Sequence, residues 1–183
     1  DEPPLTNEDV EFADSVVKAA VAAIHRALLI ETTKADNARL EVLAHTDALT
    51  QVLNRRGLTV RLASELERAR RYDSVLTLLM VDLDNFKLVN DSHGHMLGDL
   101  VLERVGGTVR HAVRDADAAC RFGGEEFAVV LPETAREGGY AVAERIRRRV
   151  EQAFQGRPVD GHDIPMTISA GLATFPDDGL HAD

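Results

Sequence analysis

The chain has no tryptophan, only 4% aromatic residues and a single cysteine among its 183 residues. With six Phe and two Tyr, its core must be built from Leu, Val, Ile and Ala. The lone Cys120 excludes an internal disulfide, and a cytoplasmic setting is the simplest reading. No apolar run approaches the ~20 residues that a membrane-spanning helix needs, and no secretory signal opens the chain. Basic residues are scarce too: 21 Lys and Arg stand against 31 Asp and Glu, a formal net charge of −10. That balance argues against a nucleic-acid polymer as partner, because such binding needs a basic face to displace counterions. It leaves room for a nucleotide, since metal ions neutralise phosphates locally. What is present is an ordinary soluble composition, 44% hydrophobic and 28% charged, enough for one core with an appended element. The first residue is Asp, not Met, so the chain reads as a piece with further sequence upstream.

Residues 6–44 read as one long helix. Asn7 is its N-cap, and Glu8, Asp9 and Glu11 fill the first turn, where the helix dipole favours them. Val17, Val21, Ile24 and Leu28 recur four and three apart, a coiled-coil seam that continues through Ala35, Ala38 and Val42. We expect residues 1–46 to form a stalk that pairs with a second copy; the alternative is a surface helix packed on its own domain. The acidic start and Ala-rich apolar run of Leu5 to Leu29 also resemble the closing helix of a GAF sensor domain, which would place a sensor upstream.

From residue 47 to 183, helical and strand patterns alternate. Asn54-Arg55-Arg56-Gly57 is a turn leading into a helix over Leu58 to Arg71. Leu76 to Leu83 is an apolar run broken only by Thr77 and Asp82, the pattern of a buried strand. A helix over Gly98 to Val113 follows. Ala118–Phe122 and Phe127–Leu131 flank Gly-Gly-Glu-Glu as a hairpin. Pro132-Glu133-Thr134 opens a helix that runs to Phe154, and Ile164 to Phe175 is the last strand, with a bulge expected at Gly171. The order predicts an α+β fold, a ferredoxin-like, palm-type antiparallel sheet with helices on one face, plus the long N-terminal coiled-coil-like helix. Fold alone does not establish chemistry.

Four carboxylates carry the functional signal. Asp82 interrupts an apolar strand, where a charge is costly unless paired or bound to metal. Asp84 follows two residues on, on the same face by the strand period. Glu125 and Glu126 sit on the hairpin turn, which the fold brings beside the first strand, so Asp82 and Glu125 are expected to converge. Converging carboxylates repel, and a hard divalent cation resolves the repulsion. Two such metals can activate a hydroxyl and stabilise phosphates under attack. Gly123 and Gly124 let phosphate approach the backbone and permit positive φ.

Together these residues resemble the GGDEF family of diguanylate cyclase domains. Gly123-Gly124-Glu125-Glu126-Phe127 is a GGEEF form of its signature. Asp47-Ala48-Leu49-Thr50 with Leu53-Asn54-Arg55-Arg56 resembles its opening motif, and Val81-Asp82-Leu83-Asp84-Asn85-Phe86-Lys87 its first strand and phosphate loop. Asn90-Asp91, Gly94-His95 and Gly98-Asp99 match the segment that follows. Arg121 stands two residues before the signature, and Thr167 to Ala173 fits the last strand. The resemblance covers about Asp47 to Pro176.

The resemblance implies two GTP condensed into cyclic di-GMP and two pyrophosphates, with Mg²⁺ or Mn²⁺, by a homodimer in which each copy holds one GTP. It implies Asp82, Glu125 and the Leu83 carbonyl as metal ligands. Glu125 is also implied as general base for the ribose 3′-hydroxyl, with Glu126 tuning the metal site or helping to bind substrate. Asn90 and Asp99 match the guanine readers, and a carboxylate can accept both N1–H and N2–H of guanine. Phe86, through its backbone, and Lys87, through its charge, match phosphate contacts. His93 and His95 flank Gly94 and are read as loop structure, because Mg²⁺ prefers oxygen ligands. Arg114-Asp115-Ala116-Asp117 matches the family's inhibitory motif, in which Arg114 and Asp117 hold the product, with Arg145 as a secondary contact. The resemblance implies a further helix beyond the last strand, with a phosphate-binding Lys and Arg; the sequence given stops at Asp183, before such a helix, and as given is expected to bind GTP weakly or to be inactive. The competing reading is a non-catalytic module that binds GTP or cyclic di-GMP and regulates a neighbour, such as a downstream phosphodiesterase domain.

Overall fold

The apolar run Leu76–Leu83 is strand β2, and it is apolar on alternate sides because helices cover both of its faces. In the computed structural model, residues 44–179 are described continuously, together with residues 15, 18, 21, 24–26 and 28–32. The chain divides into two units, Asp1–Val42 and Leu43–Asp183. In the first, the described positions are helical and exposed, among them Val21, Ile24 and Leu28 of the expected seam. Asn7, Val17, Ala35, Ala38 and Val42 lie outside the described residues.

The second unit runs β1 (Leu53–Asn54), α1 (Arg55–Tyr72), β2, α2 (Phe86–His93), α3 (His95–Ala112), β3 (Ala118–Gly123), β4 (Glu126–Pro132), α4 (Arg136–Phe154) and β5 (Ile168–Phe175). The sheet order is β1-β3-β4-β2-β5. Strands β2 to β5 form the expected antiparallel core, with β2 between β4 and β5. Strand β1 carries no signal in the sequence. It is two residues long and pairs parallel with β3, Leu53 opposite Cys120, so the sheet is mixed. Asn54 belongs both to this strand and to the helix that follows. Its side chain accepts from the Gly57 N–H and donates to the carbonyls of Ala44 and Thr46, capping α1 while tying down the incoming chain.

Helices cover both faces, not one. Leu79, Val81 and Leu83 of β2 and Phe127, Val129 and Leu131 of β4 pack with Val101, Val105 and Val109 of α3 and Ile146 and Val150 of α4. The alternate residues, Leu76, Leu78 and Met80 with Ala128 and Val130, meet Leu58, Leu62, Leu66 and Ala69 of α1. Cys120 lies fully buried on this second side, and burial, with Asp47 nearby, pushes its thiol up to about 12. Helix α4 approaches the sheet closely at Gly139, where a Cβ would fall 2.7 Å from Thr77 Cγ2. Strand β5 starts at Ile168, later than predicted, because Ile164 and Met166 reach the core from an irregular segment. Gly171 pairs in register with Met80 and makes no bulge; the irregularity falls in β3, between Arg121 and Gly123.

Candidate functional site

The site forms where the end of β2, the β3–β4 turn and the start of β5 come together. Asp82 is opposite Glu126 in one ladder and opposite Ser169 in the other. Residues directly opposite share a face, with side chains about 5 Å apart. Asp82 and Glu126 are therefore like charges facing each other across the ladder, on the side that α1 covers farther along β2. Both are exposed, which corrects the expectation that Asp82 bears the cost of burial. The even-numbered face of β2 emerges from beneath α1 after Met80, so the charge stands in water.

Glu125 does not pair with Asp82. It occupies the turn with Gly124, between Gly123 at the end of β3 and Glu126 at the start of β4, and is half-buried. Only Gly124 of the glycine pair uses a positive φ, +40°, the conformation a two-residue hairpin turn requires at its first position. Glu126 Oε2 lies 3.7 Å from where a Cβ on Gly123 would stand, an ordinary van der Waals distance.

Asp84 has partners of its own. Strand β2 ends at Leu83, and the Asp84 carboxylate accepts from Ser169 Oγ and Thr167 Oγ1, both at 2.7 Å. Those two hydroxyls hold it below the usual carboxylate range. The Asp84 N–H donates to the Thr167 carbonyl, so the start of β5 is fastened to the end of β2.

Asn85, at φ 59°, turns the chain into α2. The Phe86 side chain is buried among the core residues, leaving its backbone at the helix start, while Lys87 is exposed. Asn90, half-buried on α2, lies against α3 at Gly98, with exposed Asp99 one residue on. The His93 ring packs on that of His162 at 4.9 Å between centroids, joining α2 to the segment before β5.

Sequence reasoning left Asp47 and Arg121 without roles. Arg121 donates from Nε to the Gly124 carbonyl at 3.0 Å, and its Nη1 lies 3.4 Å from Asp47 Oδ1. Asp47 also accepts from the Thr50 hydroxyl at 2.7 Å and the Thr50 N–H at 2.9 Å. Burial pushes the Asp47 carboxyl up, but Thr50 and Arg121 outweigh it and hold it below its ordinary value. The available signal is positional: an arginine three residues before a turn can reach forward to a turn carbonyl.

At the other end of the sheet, Arg114 and Asp117 engage each other. Asp117 accepts from the Arg114 N–H at 2.9 Å and from Nη2 at 3.0 Å, and its side chain is fully buried. Arg114 Nη2 also donates to Thr134 Oγ1 at 3.0 Å, and most of its side chain faces solvent. Arg145 donates to the Ala112 carbonyl at 2.7 Å. Arg114, Arg145 and Arg149 line one open cleft of about 660 Å³.

The donors near the β3–β4 turn are hard oxygens. Among the described residues, no three His, Cys, Asp or Glu side chains gather closely enough to hold a metal ion by themselves. Hard oxygens of this kind suit a hard divalent cation that takes one or two carboxylates and completes its shell with water and substrate phosphates. Among the described residues, no helix is long and apolar enough to cross a membrane.

A family model described as "Diguanylate cyclase, GGDEF domain" matches residues 44–183. The chain is 42% identical over 135 residues to diguanylate cyclase DgcP of Pseudomonas aeruginosa, covering 72% of this chain and 19% of that protein. It is 35% identical over 171 residues to diguanylate cyclase A of Treponema denticola, covering 93% and 43% respectively. The chain thus spans less than half the length of either relative. Among solved structures, the coiled coil and GGDEF domain of DgcB from Caulobacter crescentus, in complex with c-di-GMP, superposes with a TM-score of 0.75 at 26% identity, covering 97% of this chain and 88% of that one.

Proposed function

Because the chain belongs to the GGDEF domain family, we propose that it is a diguanylate cyclase module: each copy binds one GTP, and two copies facing each other produce cyclic di-GMP. The observation that carries the reading is the opposition of Asp82 and Glu126 beside the Gly124 turn. Two exposed carboxylates held face to face repel, and the fold keeps them there. A divalent cation, Mg²⁺ or Mn²⁺, held by Asp82, the Leu83 carbonyl and the turn glutamates, would supply the charge that balances them and the triphosphate.

The protein's own groups have distinct tasks in this reading. The first backbone amides of α2, at Phe86 and beyond, with Lys87, hold phosphate oxygens. Asn90 and Asp99 read the guanine edge. Glu125, on the turn, takes the proton from the ribose 3′-hydroxyl, which attacks the α-phosphate of the GTP on the partner. Each attack forms one phosphodiester bond and breaks one α–β bond, so two GTP yield one cyclic di-GMP and two pyrophosphates. Holding two nucleotides in line supplies much of the acceleration. The exposed, helical Val21, Ile24 and Leu28 support pairing through the stalk. Arg114 and Arg145 offer charge to product phosphates in the cleft they share, with Asp117 orienting Arg114, as a feedback site.

The deciding experiment incubates the full-length protein with GTP and Mg²⁺ beside a Glu125→Ala control and follows cyclic di-GMP by chromatography. Product from the first only is expected. GTP binding without product would replace the cyclase with a nucleotide-binding signalling module.

A further inference from the structure

Gly98 sits inside α3, where glycine is a poorer helix former than alanine. It does not have the positive φ that would demand glycine. Its reason is space. A Cβ at position 98 would stand 2.0 Å from Asn90 Oδ1, 3.0 Å from Asn90 Cγ and 3.2 Å from Phe86 Cζ. The 2.0 Å contact is with the far end of a flexible side chain. An added methyl would therefore be accommodated by swinging the Asn90 amide aside, with a shift of a few tenths of an ångström at Phe86. The helix and the core have a way to adjust; the position of Asn90 does not survive.

We infer that Gly98 is a specificity-determining, positioning residue: its bare backbone seats the Asn90 amide against α3, beside Asp99, and so sets how well the site tells guanine from adenine. The inference rests on the reading of Asn90 as a guanine-facing group. Neighbouring glycines supply a contrast. Gly106 approaches Thr50 at 2.6 Å from its would-be Cβ, including a backbone contact at 3.2 Å, and Gly57 approaches the His45 carbonyl at 2.5 Å. Substitution there presses on packed structure, whereas at Gly98 it presses first on a polar side chain.

The test uses the whole chain with Mg²⁺ and measures affinity for non-reacting GTP and ATP analogues, beside thermal unfolding, in Gly98→Ala, Asn90→Ala and the double variant. Gly98→Ala is expected to fold with an undiminished midpoint. It should lose about tenfold in GTP-analogue affinity, one hydrogen bond's worth, with no comparable loss for the ATP analogue. The double variant should be no worse than Asn90→Ala alone, because both changes remove one interaction. If Asn90→Ala weakens GTP binding and Gly98→Ala does not, the inference is overturned and the guanine reading stands. If Asn90→Ala leaves GTP binding unchanged, the guanine reading itself fails and the inference falls with it. A Gly98→Ala protein that does not fold also overturns it, since Asn90, not the helix, is the part held to give way.

Discussion

Arg121 and Asp47, 74 positions apart in the chain, meet at 3.4 Å, and the same guanidinium holds the Gly124 carbonyl at 3.0 Å. Their side chains are mostly buried, 18% and 23% exposed. Arg121→Ala would leave Asp47 without its cation and the turn carbonyl without its donor, a loss of about 1–3 kcal/mol in urea unfolding. Asp47→Asn and Arg121→Ala should be non-additive in a double-mutant cycle; additive effects would refute the coupling. The pH dependence has a definite sign. The folded Asp47 carboxyl lies below its ordinary value, so its contribution is fully present above about pH 4, the unfolded value, and fades as pH falls through the lower folded one. Asp47→Asn should flatten that acid limb.

Asp82 and Glu126 predict the opposite response. With ions removed, Asp82→Asn relieves a cross-strand repulsion and should raise stability by about 0.2–1 kcal/mol. With Mg²⁺ and a GTP analogue present, the same variant should lose most of the ligand-induced rise in melting temperature that the parent shows. Equal midpoints in EDTA and equal shifts with Mg²⁺ would count against the carboxylate pair as a metal site.

Arg104 fastens the segment before β5. It donates to the carbonyls of Arg157 at 2.6 Å and Pro158 at 3.0 Å, and lies 5.2 Å over the Phe154 ring. Arg104→Ala should cost about 1–3 kcal/mol and speed amide exchange over residues 155–163. Arg104→Lys should rescue little, because one ammonium cannot reproduce the planar fork. Unchanged exchange in both would remove Arg104 from this role.

Ile24 and Leu28 test the stalk. Both are helical and exposed, at 61% and 56%. Ile24→Asp with Leu28→Asp should reduce the dimer fraction in sedimentation and the turnover per chain. If neither changes, the seam is not what pairs the copies.

Much of this is legible in the sequence alone. Strand β2 was bounded at Leu76 and Leu83 because a run apolar on both faces ends where its cover ends. The Gly-Gly turn announced the hairpin. Strand β1 could not be read, since two residues carry no period. Helix α1 has the same amphipathic stripe whichever face of the sheet it takes, so its placement opposite α3 and α4 was invisible. The exposure of Asp82 follows from that placement. Which glutamate opposes Asp82 depends on how many residues the turn consumes, and the glycines did not fix the count. The Asn90–Gly98 contact joins two helices and has no signature along the chain.

The hairpin has a consequence for how this site can change. In β4, Phe127, Val129 and Leu131 point to the core beneath α3 and α4, and Glu126 points the other way. A one-residue slip of β4 against β2 would carry Glu126 into the interior and Phe127 into water. A chain in that register would fail as a folded protein before it could be assayed as anything else. The register is thus proofread by assembly: a copy that folds has, by folding, already set its two acids face to face.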